Sequence, residues 1–355
     1  MYRVLSAHFQ LNTLEPAMSP LVRERLTAFR RRPVSWASLW LLVGMVALSL
    51  VAELLANDRP LVLRYRGQWY APVLRDVAPA RLGLTDAFVV DYKALAGRFG
   101  PGDAALWPPV RWGPYETDNA LAGFPSPPDG RHWLGTDDKG RDLLVRLVYG
   151  FRLSMVYALS VWLLSFALGM ALGGMQGFFG GWVDFVGQRL SEVWGSIPVF
   201  FLILALIAIF SPNLWLLIAL SSVFGWMNLA QYQRAEFLSL RRRDFVLAAQ
   251  AVGASPWRIM WTHLLPNALT PFITFTPFTI AGGITSIAAL DYLGFGVPPP
   301  TPSWGELLRQ ALTHFSSAWW IGTYTVGSMF AVLLLLVFIN EGVREAFDPH
   351  RSRLR

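Results

Sequence analysis

Side chains able to support covalent or metal chemistry are few and scattered. The five histidines, His8, His132, His263, His314 and His350, show neither His-Glu-x-x-His nor any other ligand spacing. No Gly-x-Ser-x-Gly elbow occurs. Cysteine is absent, which excludes disulfides, Cys-ligated zinc, Fe–S clusters and thiol catalysis. The two lysines, Lys93 and Lys139, follow Tyr92 and Asp138. The Gly-Lys-Ser/Thr loop that cradles nucleotide phosphates is therefore missing too. No enzymatic constellation, metal site or bound cofactor is expected on this chain. One residue stands apart: Asp291, a carboxylate near the end of a long apolar run. Burying it unpaired costs several kcal/mol, so it is a candidate for ion-coupled transport. It also reads as a helix-end acid that reaches interfacial water or a neighbouring backbone amide.

The elements around these residues are set by composition. Of 355 residues 54% are hydrophobic and only 15% charged, with 24 Phe and 16 Trp; mean hydropathy is +0.40. Soluble domains carry about 25% charged residues. Six apolar stretches are long enough to cross roughly 30 Å of hydrocarbon as helices: 34–55, 153–175, 193–210, 214–232, 271–293 and 318–339. The first is expected to remain as a span rather than be cleaved as a leader. The expected fold class is an all-α membrane protein of six transmembrane helices. The expected divisions are a tail 1–33, helix 34–55, an insert 56–152, a core 153–340 and a tail 341–355.

The net charge of +7 raises nucleic acid as a partner, but the basic residues flank apolar runs, as in a lipid-embedded protein. Segments 1–33, 176–192, 233–270 and 340–355 hold sixteen arginines, against Arg309 alone in 211–213 and 294–317. That asymmetry puts both termini in the cytoplasm. The insert 56–152 is then extracytoplasmic. With Trp69, Trp107, Trp112 and Trp133 it is too aromatic for a linker and is expected to form a small ordered cap. A hairpin over 61–65 and 68–74 around Arg66-Gly67 is expected within it. No internal repeat is visible, whereas many secondary transporters are two repeated halves. Six helices without a repeat suit half of a two-subunit pore.

Gly169, Gly173, Gly177 and Gly181 recur every four residues and place a smooth stripe on one helix face. The stripe serves either packing within the chain or a subunit contact. Segment 243–258 reads as a sharp corner between two short helices. Arg243, Asp244, Leu247, Ala248 and Ala249 lie on the first, and Gly253 suits a left-handed cap. Ser255 and Pro256 open the second as N-cap and first position, and it is expected to end near Pro266. The corner could lie on lipid headgroups or dock a protein.

Ala248-Ala249, Gly253 and His263-Leu264-Leu265-Pro266 resemble the Glu-Ala-Ala…Gly…Ile-x-Leu-Pro loop of ABC importer permeases, with Leu247 in place of Glu and His263 in place of Ile. The ending His263–Asn267 is similar to the dipeptide/oligopeptide permease branch. Gly135, Thr136, Asp137, Gly140, Arg141 and Asp142 resemble that branch's Gly-Thr-Asp-x-x-Gly-Arg-Asp signature. Gly180-Gly181-Trp182-Val183-Asp184, the Pro-rich run from Leu293 to Gly305 and Asp348-Pro349 resemble three further segments. The long insert, together with Leu290-Asp291-Tyr292, looks most like the Yej-type peptide and microcin C subgroup, in which the Asp291 position also carries Asp.

This resemblance implies a multi-pass permease subunit of a peptide importer in a bacterial inner membrane. It would form a heterodimer with a second permease. A cytoplasmic ATPase carrying ATP and Mg would bind the corner, and a periplasmic peptide-binding protein would deliver substrate. The Gly135–Asp142 signature would contact the binding protein, gate the outer pore, or simply start a helix. A secondary transporter or channel using Asp291 is the competing expectation. An intramembrane hydrolase is the weaker one, because no histidine falls inside a span.

Overall fold

The computed structural model of the chain describes residues 20–84 and 88–347. His8, His350, Asp348-Pro349 and parts of both expected tails lie outside them. Helices α1 (Pro20–Arg30), α2 (Pro33–Leu50) and α3 (Ala52–Leu55) lead into the insert. There, strands β1 (Val62–Tyr65) and β2 (Gln68–Tyr70) form the expected hairpin, with Tyr65 opposite Gln68. Its two-residue turn needs positive φ at both positions, and Arg66 (φ +51°) and Gly67 (φ +79°) supply it. After α4 (Tyr92–Ala96), strand β3 (Ala104–Leu106) pairs on the other side of β1, giving the order β2-β1-β3. Leu63, Tyr65, Leu82, Tyr92 and Leu95 make a separate hydrophobic core. The chain is thus not all-α. Strands of three and four residues are too short to show a period of two in the sequence.

Helix α5 (Leu143–Phe179) dominates the rest. Its 37 residues span about 55 Å at 1.5 Å per residue, well beyond the hydrocarbon thickness. It begins ten residues before the expected span, because the Asp142 side chain caps the Val145 amide at 3.0 Å. Helix α6 (Gly181–Gly195) and α7 (Val199–Ile209) follow, then α8 (Leu214–Gly225) and α9 (Met227–Leu240). The expected span 193–210 is corrected here: α6 and α7 meet at a bend of 70° across Ser196-Ile197-Pro198. Proline restricts the preceding residue and has no amide to continue a helix. Residues 214–240 are long and apolar enough for one span that outruns its expected end at 232.

Helices α10 (Asp244–Ala251), α11 (Pro256–Arg258) and α12 (Leu265–Ala268) precede α13 (Thr270–Tyr292), α14 (Trp304–Thr313) and α15 (Trp319–Ala346). Five helices, or six if the bent α6–α7 pair counts as one, are long and apolar enough to cross a membrane among the described residues. Leu41, Leu163, Phe201, Phe278 and Phe330 are exposed on them, as contact with lipid or another subunit requires. The chain is a multi-pass membrane protein.

The bundle's core joins α5, α13, α14 and α15 through Leu147, Phe151, Ile284, Leu307, Ile321 and Val332. A close backbone approach joins α5 to α9. A Cβ on Gly173 would overlap the Ala230 carbonyl oxygen. One on Gly177 would lie 2.6 Å from the Arg234 oxygen, and one on Gly169 2.6 Å from Leu229 Cβ. The glycine stripe is an intramolecular contact. Gly181 does not belong to it: α5 stops at Phe179, Gly180 (φ +65°) and Gly181 (φ +53°) form the break, and a Cβ on Gly181 would meet no atom within 4 Å. Two arginines secure this end. Arg234 of α9 pairs with Asp184 of α6 at 2.7 Å. Arg241 donates to the Gly177 and Phe178 carbonyls at 3.2 and 3.3 Å, satisfying groups that a helix C-terminus leaves open.

Replacing Gly173 by Leu should separate α5 from α9 and destabilise the detergent-purified chain by about 1–3 kcal/mol or more. Gly44→Ala, where nothing lies within 4 Å, serves as the control. Equal melting of the two variants would refute the close-approach argument.

Candidate functional site

The residues singled out by sequence lie at the two ends of α5. At its C-terminal end, α10 closes on Gly253, whose φ of +83° is left-handed and strained for any side chain. The Ser255 hydroxyl accepts the Arg258 amide at 3.3 Å and starts α11. The second helix ends at Ala268, two residues past Pro266. It passes through a π-helical stretch, Ile259–Leu264, into α12, which carries Pro266 in its first turn. Wider π-type bonding is one way to accommodate a residue that lacks an amide.

This corner has two sides. Val246, Ile259, Met260 and Leu264 are buried with Phe237 of α9, and Met175 and Phe178 of α5 pack against them. Ala249 is half-buried on this side, so it belongs to the anchor. On the other side Phe245, Leu247, Val252 and Trp257 are exposed, Val252 at 89%. Arg243, Asp244, Ala248, Gly253, Ser255 and Pro256 are exposed as well. The corner is a short apolar surface held rigidly to the α5–α9 pair.

At the N-terminal end of α5 the signature folds inward. Gly135 (φ +81°) and Gly140 (φ +72°) turn the chain where Ser126, Trp320 and Phe124 leave no room for a side chain. Thr136 is buried, and its carbonyl accepts the Trp320 indole at 3.1 Å. Asp137 has no exposed surface. It receives the Lys139 and Arg141 amides at 2.9 and 3.0 Å and the Arg141 side chain at 2.7 Å. Arg141 also reaches Glu306 of α14 at 3.2 Å.

The residues that complete this network were not among the sequence candidates. Arg146, fully buried one turn into α5, pairs with Glu306 and approaches Asp137 at 3.1 Å. It also donates to the Pro114 and Pro300 carbonyls at 3.1 and 3.2 Å. Gln310 donates to Glu306 at 3.1 Å. Two arginines thus share two carboxylates away from water, and removing one partner of such a set costs about 3–5 kcal/mol. Arg146 and Glu306 left a signal. Arg146 is an arginine at the head of an apolar helix, and Ser303-Trp304-Gly305-Glu306 matches a capping box. The Ser303 hydroxyl does accept the Glu306 amide at 3.1 Å, while the Glu306 carboxylate is engaged by the arginines.

Beside this set, buried His132 bridges two acids, Asp142 at 2.8 Å and Asp118 at 3.3 Å. Burial pulls its pKa down, but the hydrogen bonds and charges of Asp142 and Asp118 outweigh it and hold the imidazole above its usual value. Burial and the neighbouring Asp137 raise the Asp138 carboxyl. Asp137, Arg141 and Asp142 are therefore engaged by groups within the chain, and Asp142 starts α5. Asp291 is occupied too. Its carboxylate accepts the Val297 amide at 2.7 Å, and a side chain on Gly296 would overlap it. It fastens the turn that leads to α14. Among the described residues no group of histidines and acids is arranged to hold a metal ion.

Residues 165–352 match the family described as binding-protein-dependent transport system inner membrane component. The chain is 42% identical over 338 residues to the inner membrane ABC transporter permease protein YejE of Escherichia coli, covering 94% of this chain and 99% of that one. It is 35% identical to the peptidoglycan transport system permease protein YejE of Agrobacterium fabrum, covering 95% of each. It is also 31% identical to the oligopeptide transport system permease protein OppC of Bacillus subtilis, over 66% of this chain and 77% of that one.

The His132 geometry gives a pH dependence. A histidine whose folded pKa is raised stabilises fully below the unfolded value, about 6.5, and that contribution is lost as pH rises through the folded value. The melting temperature of the detergent-purified chain should therefore fall from about pH 6.5 upward. His132→Gln should remove that component. Parallel profiles for the two proteins would contradict it.

Proposed function

The chain belongs to the family of inner membrane components of binding-protein-dependent transport systems, and on that premise we propose that it is one permease subunit of an ATP-driven peptide importer in a bacterial inner membrane. The names of its relatives support peptide-containing molecules as the substrate class. A second permease completes the pathway, a cytoplasmic ATPase supplies ATP hydrolysis with Mg, and a periplasmic binding protein delivers the peptide. The arginine asymmetry supports a topology with both termini and the α10–α11 corner inside and the insert outside.

The observation that carries the reading is the corner itself. An apolar face of Phe245, Leu247, Val252 and Trp257 is left in solvent at the end of the bundle, while its back is packed into α5 and α9. Exposed apolar patches of this kind mark interaction surfaces. A groove on the ATPase would receive α10. Closure of the ATPases on ATP would move α10 as a rigid body, and α5 and α9, locked by the glycine contact, would move with it. Access would then alternate between two packings of the bundles. A carrier driven through Asp291 has less to rest on, since that carboxylate holds a turn.

Gly253→Asp tests the corner. Aspartate tolerates a left-handed backbone better than most residues, and there is open space around Gly253, so the change adds backbone strain and a charge to the docking face without a steric clash. Uptake of peptide should be lost while the amount of membrane-inserted protein is unchanged. Normal uptake by this variant would exclude the corner as the coupling element.

A further inference from the structure

A cleft of about 530 Å³ lies between the insert and the head of α5, at the opposite end of that helix from the coupling corner. Its volume lies within the range of about 300–1,000 Å³ typical of small-ligand sites. Three tryptophans, Trp107, Trp112 and Trp133, and three cations, Lys93, Arg111 and Arg131, line it. Trp133 is left 58% exposed. Trp112 is fixed from several sides: the His132 ring lies 4.5 Å away, Lys93 Nζ sits 3.5 Å over its face, and its indole donates to the Arg131 carbonyl at 3.1 Å.

The cations differ in what they already hold. Lys93 is paired with Glu116 at 2.6 Å and Arg131 with Asp118 at 2.9 Å. Asp142, the one acid lining the cleft, is engaged by His132. Arg111 is exposed and has no carboxylate within ion-pair distance among the described residues; its guanidinium lies 5.6 Å from the Trp107 ring centroid. The cleft thus offers one uncommitted, fork-shaped donor beside flat apolar walls. A guanidinium in that state is suited to a carboxylate, which it can bind through two parallel hydrogen bonds. Indole faces suit an apolar or aromatic side chain. A docked protein would need an interface of about 1,000 Å² or more, whereas this site is concave and of small-molecule size.

Resting on the peptide-importer reading, we infer that the insert cleft binds the C-terminal end of a short peptide, with its carboxylate on Arg111 and its last side chain against Trp107 and Trp133. The permease would then take part in substrate capture through its own insert.

The test uses the purified permease–ATPase complex in nanodiscs, without any binding protein. The probe is Ala-Ala-Phe with an N-terminal fluorophore, compared by anisotropy with the same peptide amidated at its C-terminus. The free acid should bind saturably and the amide at least about tenfold more weakly. Arg111→Gln should reduce the acid to the affinity of the amide, and Trp133→Ala should weaken both. Equal binding of acid and amide, wild-type affinity in Arg111→Gln, or no saturation at millimolar peptide would overturn the inference. Peptide uptake is measured in parallel. Normal uptake without carboxylate-dependent binding would reject the cleft alone. Carboxylate-dependent binding without ATP-driven uptake would instead reject the importer reading.

Discussion

The structure depends on the contact between α5 and α9. Where Gly169 and Gly173 meet Trp226, Leu229 and Ala230, and Gly177 meets Arg234, the two backbones lie too close for any side chain on α5. In hydrocarbon, where apolar burial drives little association, close packing of this kind is the main attraction between helices. It makes two helices into one body. Arg241, which closes the last turn of α5, and Arg234, which holds α6, extend that body to the connection before α10.

At the far end of the same helix, a dry network of Arg141, Arg146, Asp137 and Glu306 joins the start of α5 to α14. Buried ion pairs contribute little net stability compared with apolar packing but are intolerant of half-removal. Their consequence here is registration. The insert, the head of α5 and the turn after α13 can sit together in one arrangement that leaves no charge unpaired. A long rigid helix with a fixed polar head and a fixed apolar foot connects the insert to the corner.

What the sequence revealed follows from the range of each signal. Apolar runs for most spans, the glycine stripe, the Arg66-Gly67 turn and the Gly253–Pro256 corner are local patterns and could be read directly. The 70° break before α7 falls at Gly195-Ser196-Ile197-Pro198, a short interruption whose apolar flanks together have the length of one span. The strand β3 pairs with β1 across some 40 residues and left no short-range mark. The signature Gly135–Asp142 was located correctly in the chain, but its inward orientation depends on Arg146 and Glu306, 160 residues apart. Membership in the permease family, read from five short motifs, agrees with the similarity found over nearly the whole chain.

Because the chain contains no cysteine, one engineered thiol can report what touches the corner. Leu247→Cys, carrying a thiol-linked photo-crosslinker, would be irradiated in cells and its adduct identified by mass spectrometry. The account predicts an ATPase with a nucleotide-binding loop attached at Leu247, and none when the thiol is placed by Trp69→Cys in the insert. Cross-linking at Leu247 only to lipid or to another copy of the chain, or an ATPase captured at Trp69, would contradict it.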